Sequence, residues 1–329
     1  MKSLILNKFG ALDTLALEDR PSPVPGDSQV LVDVHAAGIN FPDLMVIEGT
    51  YQNLPPLPFS PGKECAGVIS AVGNGVSGLR VGQRVQVLVE YGAYTQQLVT
   101  KVANCSPIPD GMSYPVAAAL GLTYVTSYFA LVERAALKAG EVVLVTGAAG
   151  GIGLAAVQIA KALGATVIAA VSNADKAAAA RASGADHIID TSVPDLRNSL
   201  RDQVFAAVGK RGADVIIENV GGDVFDASLR AIAWCGRLVV VGFAGGRVPD
   251  VKAGHVLVKN ISVIGIQISD YPKRQPEKFS AARRELIDLC AAGKLKPHVM
   301  ETFPMERYQD AMALVRGRKV IGKVVLNVR

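Results

Sequence analysis

The segment VLVTGAAGGIGLAAVQIAKALGA, residues 143–165, runs from an apolar stretch through a glycine cluster into a second apolar stretch with helical spacing. Glycines at 147, 150 and 153 allow a tight turn and a close backbone approach to a bulky anion. The helix that follows opens at Gly151 and Ile152, where free backbone N–H groups and a positive dipole end would face that anion. This is chemistry for a pyrophosphate, and Gly147, Gly150, Gly151, Ile152 and Gly153 are the candidate contacts. The spacing is G-x-x-G-x-x-G rather than the commoner G-x-G-x-x-G, so a glycine-rich connector without a ligand is the plain alternative. The αβ units that follow favour the dinucleotide. Where NAD-binding versions end the second strand in an acid for the ribose 2′-hydroxyl, this chain has Val171, Ser172 and Asn173. Lys176 opens the next helix and could meet a 2′-phosphate as a point charge. Asp175 is the counter-signal, and the first turn of a helix accounts for it. NADPH is therefore the expected cofactor.

A second stretch of interest is SPGKECAG, residues 60–67. A charged ammonium at Lys63 cannot ligate a metal. A buried lysine must pair or shift its pKa downward, and Asp43 and Glu64 are the candidate partners. Lys63 reads either as a structural ion pair or loop lysine, or as a cation facing an anionic substrate or a developing enolate. The four histidines, His35, His187, His255 and His298, fall in separate segments without a spacing that suggests a nucleophile's base. The four cysteines, Cys65, Cys105, Cys235 and Cys290, form no C-x-x-C pair. Disulfides are not expected, and a reducing, cytoplasmic location fits.

These residues need elements to hold them. The chain has 329 residues, half of them hydrophobic and 19% charged, with a net charge of +5. That is enough for two domains with substantial cores and excludes a disordered class. The densest charge cluster, 271–286, mixes acids with bases at amphipathic spacing, so a nucleic-acid surface is not expected. No signal peptide or run of about 18 apolar residues appears, so no membrane span is expected either. The first 110 or so residues are rich in Gly, Pro and short alternating runs. QVLVDVHAAG (29–38) reads as a half-buried strand, and RVQVLVEYGAYTQQLV (84–99) as strand, Gly turn, strand. From residue 115 a long helix to 137 is expected. Strands and helices then alternate through EVVLVTG, ATVIAAV, DHIID, ADVIIENV and GRLVVVG, with a sixth strand at 261–268. Such alternation implies a parallel sheet with crossover helices. Helices at about 276–292 and 304–316 and a last strand KVVLNV complete the chain.

TGAAGGIG also fits the turn of short-chain dehydrogenases. That family has the turn near its N-terminus and needs Tyr-x-x-x-Lys, which none of the eight tyrosines supplies. The order of AAGINFPDL (36–44), GTYQNLPPLPFSPGKECAG (49–67), GAYTQQLV (92–99), AAALGLTYVTSY (117–128), the glycine turn and GKVVLNV (322–328) instead resembles the medium-chain dehydrogenase/reductase superfamily. Within it the chain is similar to the zinc-independent, zeta-crystallin-like quinone oxidoreductases. The resemblance spans essentially the whole chain. It implies an α/β fold: a Rossmann doubly wound parallel sheet domain (123–267) inserted in a β-rich GroES-like catalytic domain (1–122 and 268–329). At the places of the zinc ligands of alcohol dehydrogenases stand Asn40, Lys63 and Leu122, and the four-cysteine structural lobe is missing. Neither zinc site is expected.

The same resemblance places Asn40 and Tyr51 on the substrate side of the nicotinamide. Asn40 would donate a hydrogen bond to a substrate oxygen, and Tyr51 a bond or a proton; a loop aromatic without chemistry is the alternative for Tyr51. Asp43 matches a family position, with a helix-end charge or salt bridge as its plain reading. Thr126 matches a threonine near the nicotinamide, though an i−4 back-bond would satisfy its hydroxyl. Gly242 and Phe243 are expected where the nicotinamide half rests, and Arg318 at the adenosine phosphate. Thr191 departs from a family tyrosine near the 2′-phosphate. The expected function is NADPH-dependent, zinc-independent reduction of quinones or activated alkenes. The alternatives are an enoyl-CoA or acryloyl-CoA type thioester reductase, with Lys63, Lys252, Lys259 or Arg247 at a basic groove mouth, and a non-catalytic NADPH-binding crystallin-like protein. A homodimer paired through the edge strand near 261–268 is expected.

Overall fold

A computed structural model describes residues 1–329. The chain divides into two compact units. The first comprises 1–122, 277–291 and 297–329, and the second 123–276 and 292–296. The expected return to the first unit at 268 thus falls later, at Glu277, and residues 292–296 belong with the second.

The first unit is a seven-stranded sheet around the long strand Gln29–Ile39. That strand carries Glu64–Val72 along one flank and both Lys323–Asn327 and Gln97–Lys101 along the other. It serves three neighbours because that second flank is divided along its length, residues 29–33 pairing with Gln97–Lys101 and residues 36–39 with Lys323–Asn327. Its register brings distant residues to one corner. Gly38 lies opposite Glu64, and Ile39 opposite Val324. Leu4, Leu6, Val32, Ile47, Ile69, Val87 and Leu326 fill the core beneath. The strands Arg84–Leu88 and Gln97–Lys101 are as expected from 84–99, but they do not form a hairpin. The first pairs with Glu64–Val72 and Cys105–Pro107, the second with Gln29–Ile39.

The second unit is a six-stranded, wholly parallel sheet. Its spatial order is His187–Asp190, Thr166–Val171, Val142–Thr146, Ala213–Glu218, Ile232–Val240, Ser262–Gly265. The three central strands, Thr166–Val171, Val142–Thr146 and Ala213–Glu218, are buried apolar runs, as a sheet covered on both faces demands. Crossover helices Gly151–Ala162, Ala174–Ala182, Leu196–Val208, Gly222–Ala231 and Ala253–Lys259 connect them. This is the doubly wound order with its ligand edge at the strands' carboxyl ends.

Three local expectations need correction. The helix expected over 115–137 is broken into Tyr114–Ala119 and Leu122–Tyr128, followed by a wide turn at Phe129–Arg134. The Leu122 N–H donates to the Glu64 carboxylate at 2.5 Å, so the break recruits a donor away from a helical ladder. The helix read through FDASLRAIAW stops at Ala231, because Ile232 begins the next strand. The helix expected over 304–316 starts at Tyr308, after the strand Val299–Pro304 and a short 3-10 turn.

Candidate active site

In the second unit the glycine turn joins Val142–Thr146 to Gly151–Ala162. Gly147 takes φ +55°, a left-handed value that favours glycine. A Cβ on Gly153 would collide with the Gly147 carbonyl and lie 2.6 Å from Ala148 backbone. The helix N-terminus has no side-chain cap, and Gly147, Gly150, Gly151 and Ile152 all retain solvent exposure. These residues fit a pyrophosphate: a cradle of N–H groups with no side chain filling it.

The rim around the turn is built from neighbouring strand ends. Asn219 and Val220 follow Ala213–Glu218, and a Cβ on Gly147 would meet Val220 at 3.1 Å. The loop after Ile232–Val240, which contains Gly242 and Phe243, is stitched to the same place. Ala244 N–H donates to the Asn219 carbonyl at 3.0 Å, and Gly245 N–H to that of Val220 at 2.6 Å. Phe243 is exposed there. Beneath the rim Glu218 is fully buried and accepts from Val220 N–H, Gly221 N–H and the Thr146 hydroxyl, each at 3.0 Å. Burial pushes its carboxyl above the usual range, with these donors opposing the rise. Sequence reading missed Glu218, since a lone acid at a strand end carries no distinguishing spacing.

At the end of Thr166–Val171, Ser172 and Asn173 are exposed. Asn173 caps the next helix, accepting from the Lys176 N–H at 2.9 Å. The Lys176 ammonium reaches back to the Ser172 hydroxyl at 3.3 Å, so a cation and a hydroxyl stand together at the strand end. Asp175 lies in the first helical turn. Thr126 is buried in Leu122–Tyr128, and its neighbour Ser127 donates to the Ile152 carbonyl at 3.1 Å. Thr191 continues the sheet edge through its N–H to the Val171 carbonyl.

In the first unit three side chains meet at the corner set by strand register. Asn40 follows Gln29–Ile39, Glu64 opens Glu64–Val72, and Lys323 opens Lys323–Asn327. The Lys323 ammonium donates to Asn40 Oδ1 and Glu64 Oε1, both at 2.6 Å, and to the Ile39 carbonyl at 3.0 Å. Asn40 Nδ2 donates to Glu64 Oε1 at 2.9 Å. All three are buried. Lys323 was not anticipated, for its partner lies 259 positions away in sequence.

Asp43 belongs to a second knot. Its Oδ2 accepts from the Asn40 N–H at 2.8 Å and the Tyr94 hydroxyl at 2.7 Å, while Oδ1 is buried without a partner. Burial raises the Asp43 carboxyl above its ordinary range, against the lowering pull of the Tyr94 bond. Lys63 is buried, but its partners are neither Glu64 nor Asp43. The ammonium donates to the carbonyl and carboxylate of Glu90, both at 3.1 Å, and sits 4.9 Å above the Tyr51 ring. Neighbouring residues where a strand begins point to opposite faces, so Glu64 turns to Lys323 and Lys63 away from it. Arg318 is exposed, at φ +56°, beyond the helix Tyr308–Arg316. His, Cys, Asp and Glu nowhere gather in a group of three that could hold a metal. The amide, ammonium and leucine at positions 40, 63 and 122 do not make a zinc donor set.

A family model described as alcohol dehydrogenase GroES-like domain matches residues 26–141, and one described as zinc-binding dehydrogenase matches 151–288. The chain is 40% identical to quinone oxidoreductase-like protein 2 of Bos taurus over 313 residues, covering 95% of this chain and 88% of the relative. It is 31% identical to quinone oxidoreductase of Homo sapiens, over 99% of this chain and 97% of the relative. The structure of Escherichia coli quinone oxidoreductase complexed with NADPH superposes with a TM-score of 0.90 at 30% identity, covering 100% of both chains. Two compact units, a glycine turn on a doubly wound sheet and relatives matched almost end to end converge: this chain belongs to the quinone oxidoreductase family of the medium-chain dehydrogenase/reductase superfamily.

Proposed function

We propose that the protein is an NADPH-dependent, zinc-independent reductase of quinones or of alkenes conjugated to a carbonyl. The observation that carries this reading is the chemistry at positions 40, 63 and 122. Where a metal would polarise an oxygen, there stand a buried amide at 40, an ammonium turned to Glu90 at 63 and an apolar side chain at 122. Such an arrangement is suited to acceptors that spread incoming charge into their own oxygen and need only hydrogen-bond donors and a proton. Bound NADPH supplies the hydride. In the second unit Gly147 and Gly150–Gly153 would hold its pyrophosphate, with Thr126, Gly242 and Phe243 at the nicotinamide half. Ser172, Asn173 and Lys176 would hold the 2′-phosphate; Arg318, a residue of the first unit, is assigned to the adenosine phosphate. In the first unit Asn40 donates to the substrate oxygen and Tyr51 supplies the proton. Lys63 keeps the Tyr51 ring in place through a cation–π contact, and Asp43 anchors the helix behind Asn40. The NADPH complexes among the solved relatives support the cofactor assignment.

A thioester reductase would use a basic rim for the phosphates of its substrate. Three of the four candidate cations are already engaged: Lys63 by Glu90, Arg247 by Asp223 and Asp226, and Lys259 by the carbonyls of Leu229, Arg230 and Ile232. The quinone and enone reading is therefore preferred. NADPH oxidation measured against 1,4-quinones, enones, 2-alkenals and enoyl-CoA thioesters tests it. Turnover is expected with quinones or enones, unaffected by a chelator. Turnover with thioesters alone, or with no acceptor, would overturn it, as would one bound zinc per chain.

A further inference from the structure

Glu64 and Lys323 have no place in the roles assigned above, yet both converge on Asn40. We infer that they are positioning residues, which lock the Asn40 amide so that its second Nδ2 hydrogen is aimed at the substrate oxygen. The inference rests on the reading of Asn40 as the substrate's donor.

The donor and acceptor inventory settles the amide orientation. An ammonium only donates and an ionised carboxylate only accepts. The amide atom facing Lys323 at 2.6 Å is therefore oxygen, and the one facing Glu64 at 2.9 Å is nitrogen. A flipped amide would set NH₂ against ammonium and carbonyl against carboxylate. Both partners are themselves fixed. Lys323 spends its three hydrogens on Ile39, Asn40 and Glu64, and Glu64 takes the Leu122 N–H on its other oxygen. The pair is closed from solvent, with side-chain exposures of 4% and 0%. Glycine walls make the slot. A Cβ on Gly38 or on Gly121 would collide with the Glu64 carboxyl oxygens. An amide nitrogen carries two hydrogens, and the carboxylate uses one. A buried ion pair of this kind is weak support for stability, since well-packed apolar residues often do as well. Control of a neighbouring group is what it supplies here.

The test is a double-mutant cycle on the full chain, with NADPH oxidation by 1,4-naphthoquinone as the readout. Asn40→Ala should lower kcat about 100-fold, as loss of a donor to a developing oxyanion does. Lys323→Met should lower kcat by about tenfold or more with KM for NADPH changed less than about twofold, because only a transition-state contact is misaligned. Since removing one buried charge can unfold the corner, Glu64→Gln/Lys323→Met removes both together and should show the same kcat loss. The deciding comparison is Asn40→Ala/Lys323→Met against Asn40→Ala, where the Lys323 effect should shrink to within about twofold. An equal loss from Lys323→Met with and without Asn40 would overturn the inference, as would an unchanged kcat in the pair variant. If Asn40→Ala is itself silent, the donor role of Asn40 fails and the inference falls with it. Wild-type protein inactive on every acceptor would instead sink the proposed function.

Discussion

At the scale of single residues, charge placement makes the sharpest forecasts. Lys176 and the Ser172 hydroxyl stand together at the end of a Rossmann strand that offers no carboxylate for a 2′-hydroxyl. Charge-assisted bonds contribute about 1.5–3 kcal/mol each, so Lys176→Glu should weaken NADPH binding about 10- to 100-fold or more. NADH binding should hardly change, and titration with both cofactors checks this. Equal loss for both would refute the 2′-phosphate role. Lys63 is different in kind. Its cation is answered by Glu90 and sits over the Tyr51 ring, so Lys63→Met should lower turnover of neutral quinones by only about two- to fivefold, the share of a cation–π contact of about 0.5–1 kcal/mol. A loss confined to anionic quinones would instead show that the cation meets substrate. Asp43 carries a pH signature. Its folded pKa is raised by burial, so between the ordinary Asp value of 3.8 and the raised one the native state holds a proton that the unfolded state has released. Its contribution is present below that window and lost as pH rises through it. Denaturant unfolding should therefore show Asp43→Asn gaining stability relative to wild type from pH 4 upward, with the gain levelling off above the raised value. A pH-independent difference would remove Asp43 from the account.

Elements carry the next set of constraints. The turn after Val142–Thr146 works because no side chain intrudes, so Gly153→Val should abolish NADPH binding while the sheet still folds. Calorimetry for binding and circular dichroism for folding check the two halves of that statement. The parallel sheet was legible because strands buried on both faces read as continuous apolar runs bounded by helical periodicity. The glycine turn and the Ser172–Lys176 strand end are local features, and they too could be read directly. The break at Leu120–Gly121 could not. AAALGLTYVTSY has good helical texture, and only the carboxylate of Glu64, 58 residues earlier, draws the Leu122 N–H out of the ladder. Lys323 escaped for the same reason. In GKVVLNV it looks like an ordinary strand-end lysine. Its burial follows from the pairing of Lys323–Asn327 with Gln29–Ile39, a register that no local pattern encodes. The partner of Lys63 was misassigned because alternation sends adjacent residues to opposite faces, while Glu90 lies just past the end of the neighbouring strand Arg84–Leu88.

At the scale of the whole molecule the open question is assembly. The parallel sheet ends on Ser262–Gly265, which is paired on one side only, with Ile232–Val240. This strand carries no charge along SVIG, so it lacks the lysines and prolines with which edges are usually blunted. The helix just before it, Ala253–Lys259, buries none of its residues and leaves Leu257 and Val258 more than three-quarters exposed. Hydrophobic side chains so exposed beside an open edge invite a second copy, and a two-fold axis lets the same strand pair with itself. A homodimer is therefore the proposed assembly, and sedimentation velocity at micromolar concentration should return twice the chain mass. Leu257→Glu/Val258→Glu should shift that mass to the monomer without lowering the melting temperature of the isolated subunit, because neither side chain supports the core. A wild-type monomer, or a dimer indifferent to both glutamates, would place the interface elsewhere or remove it.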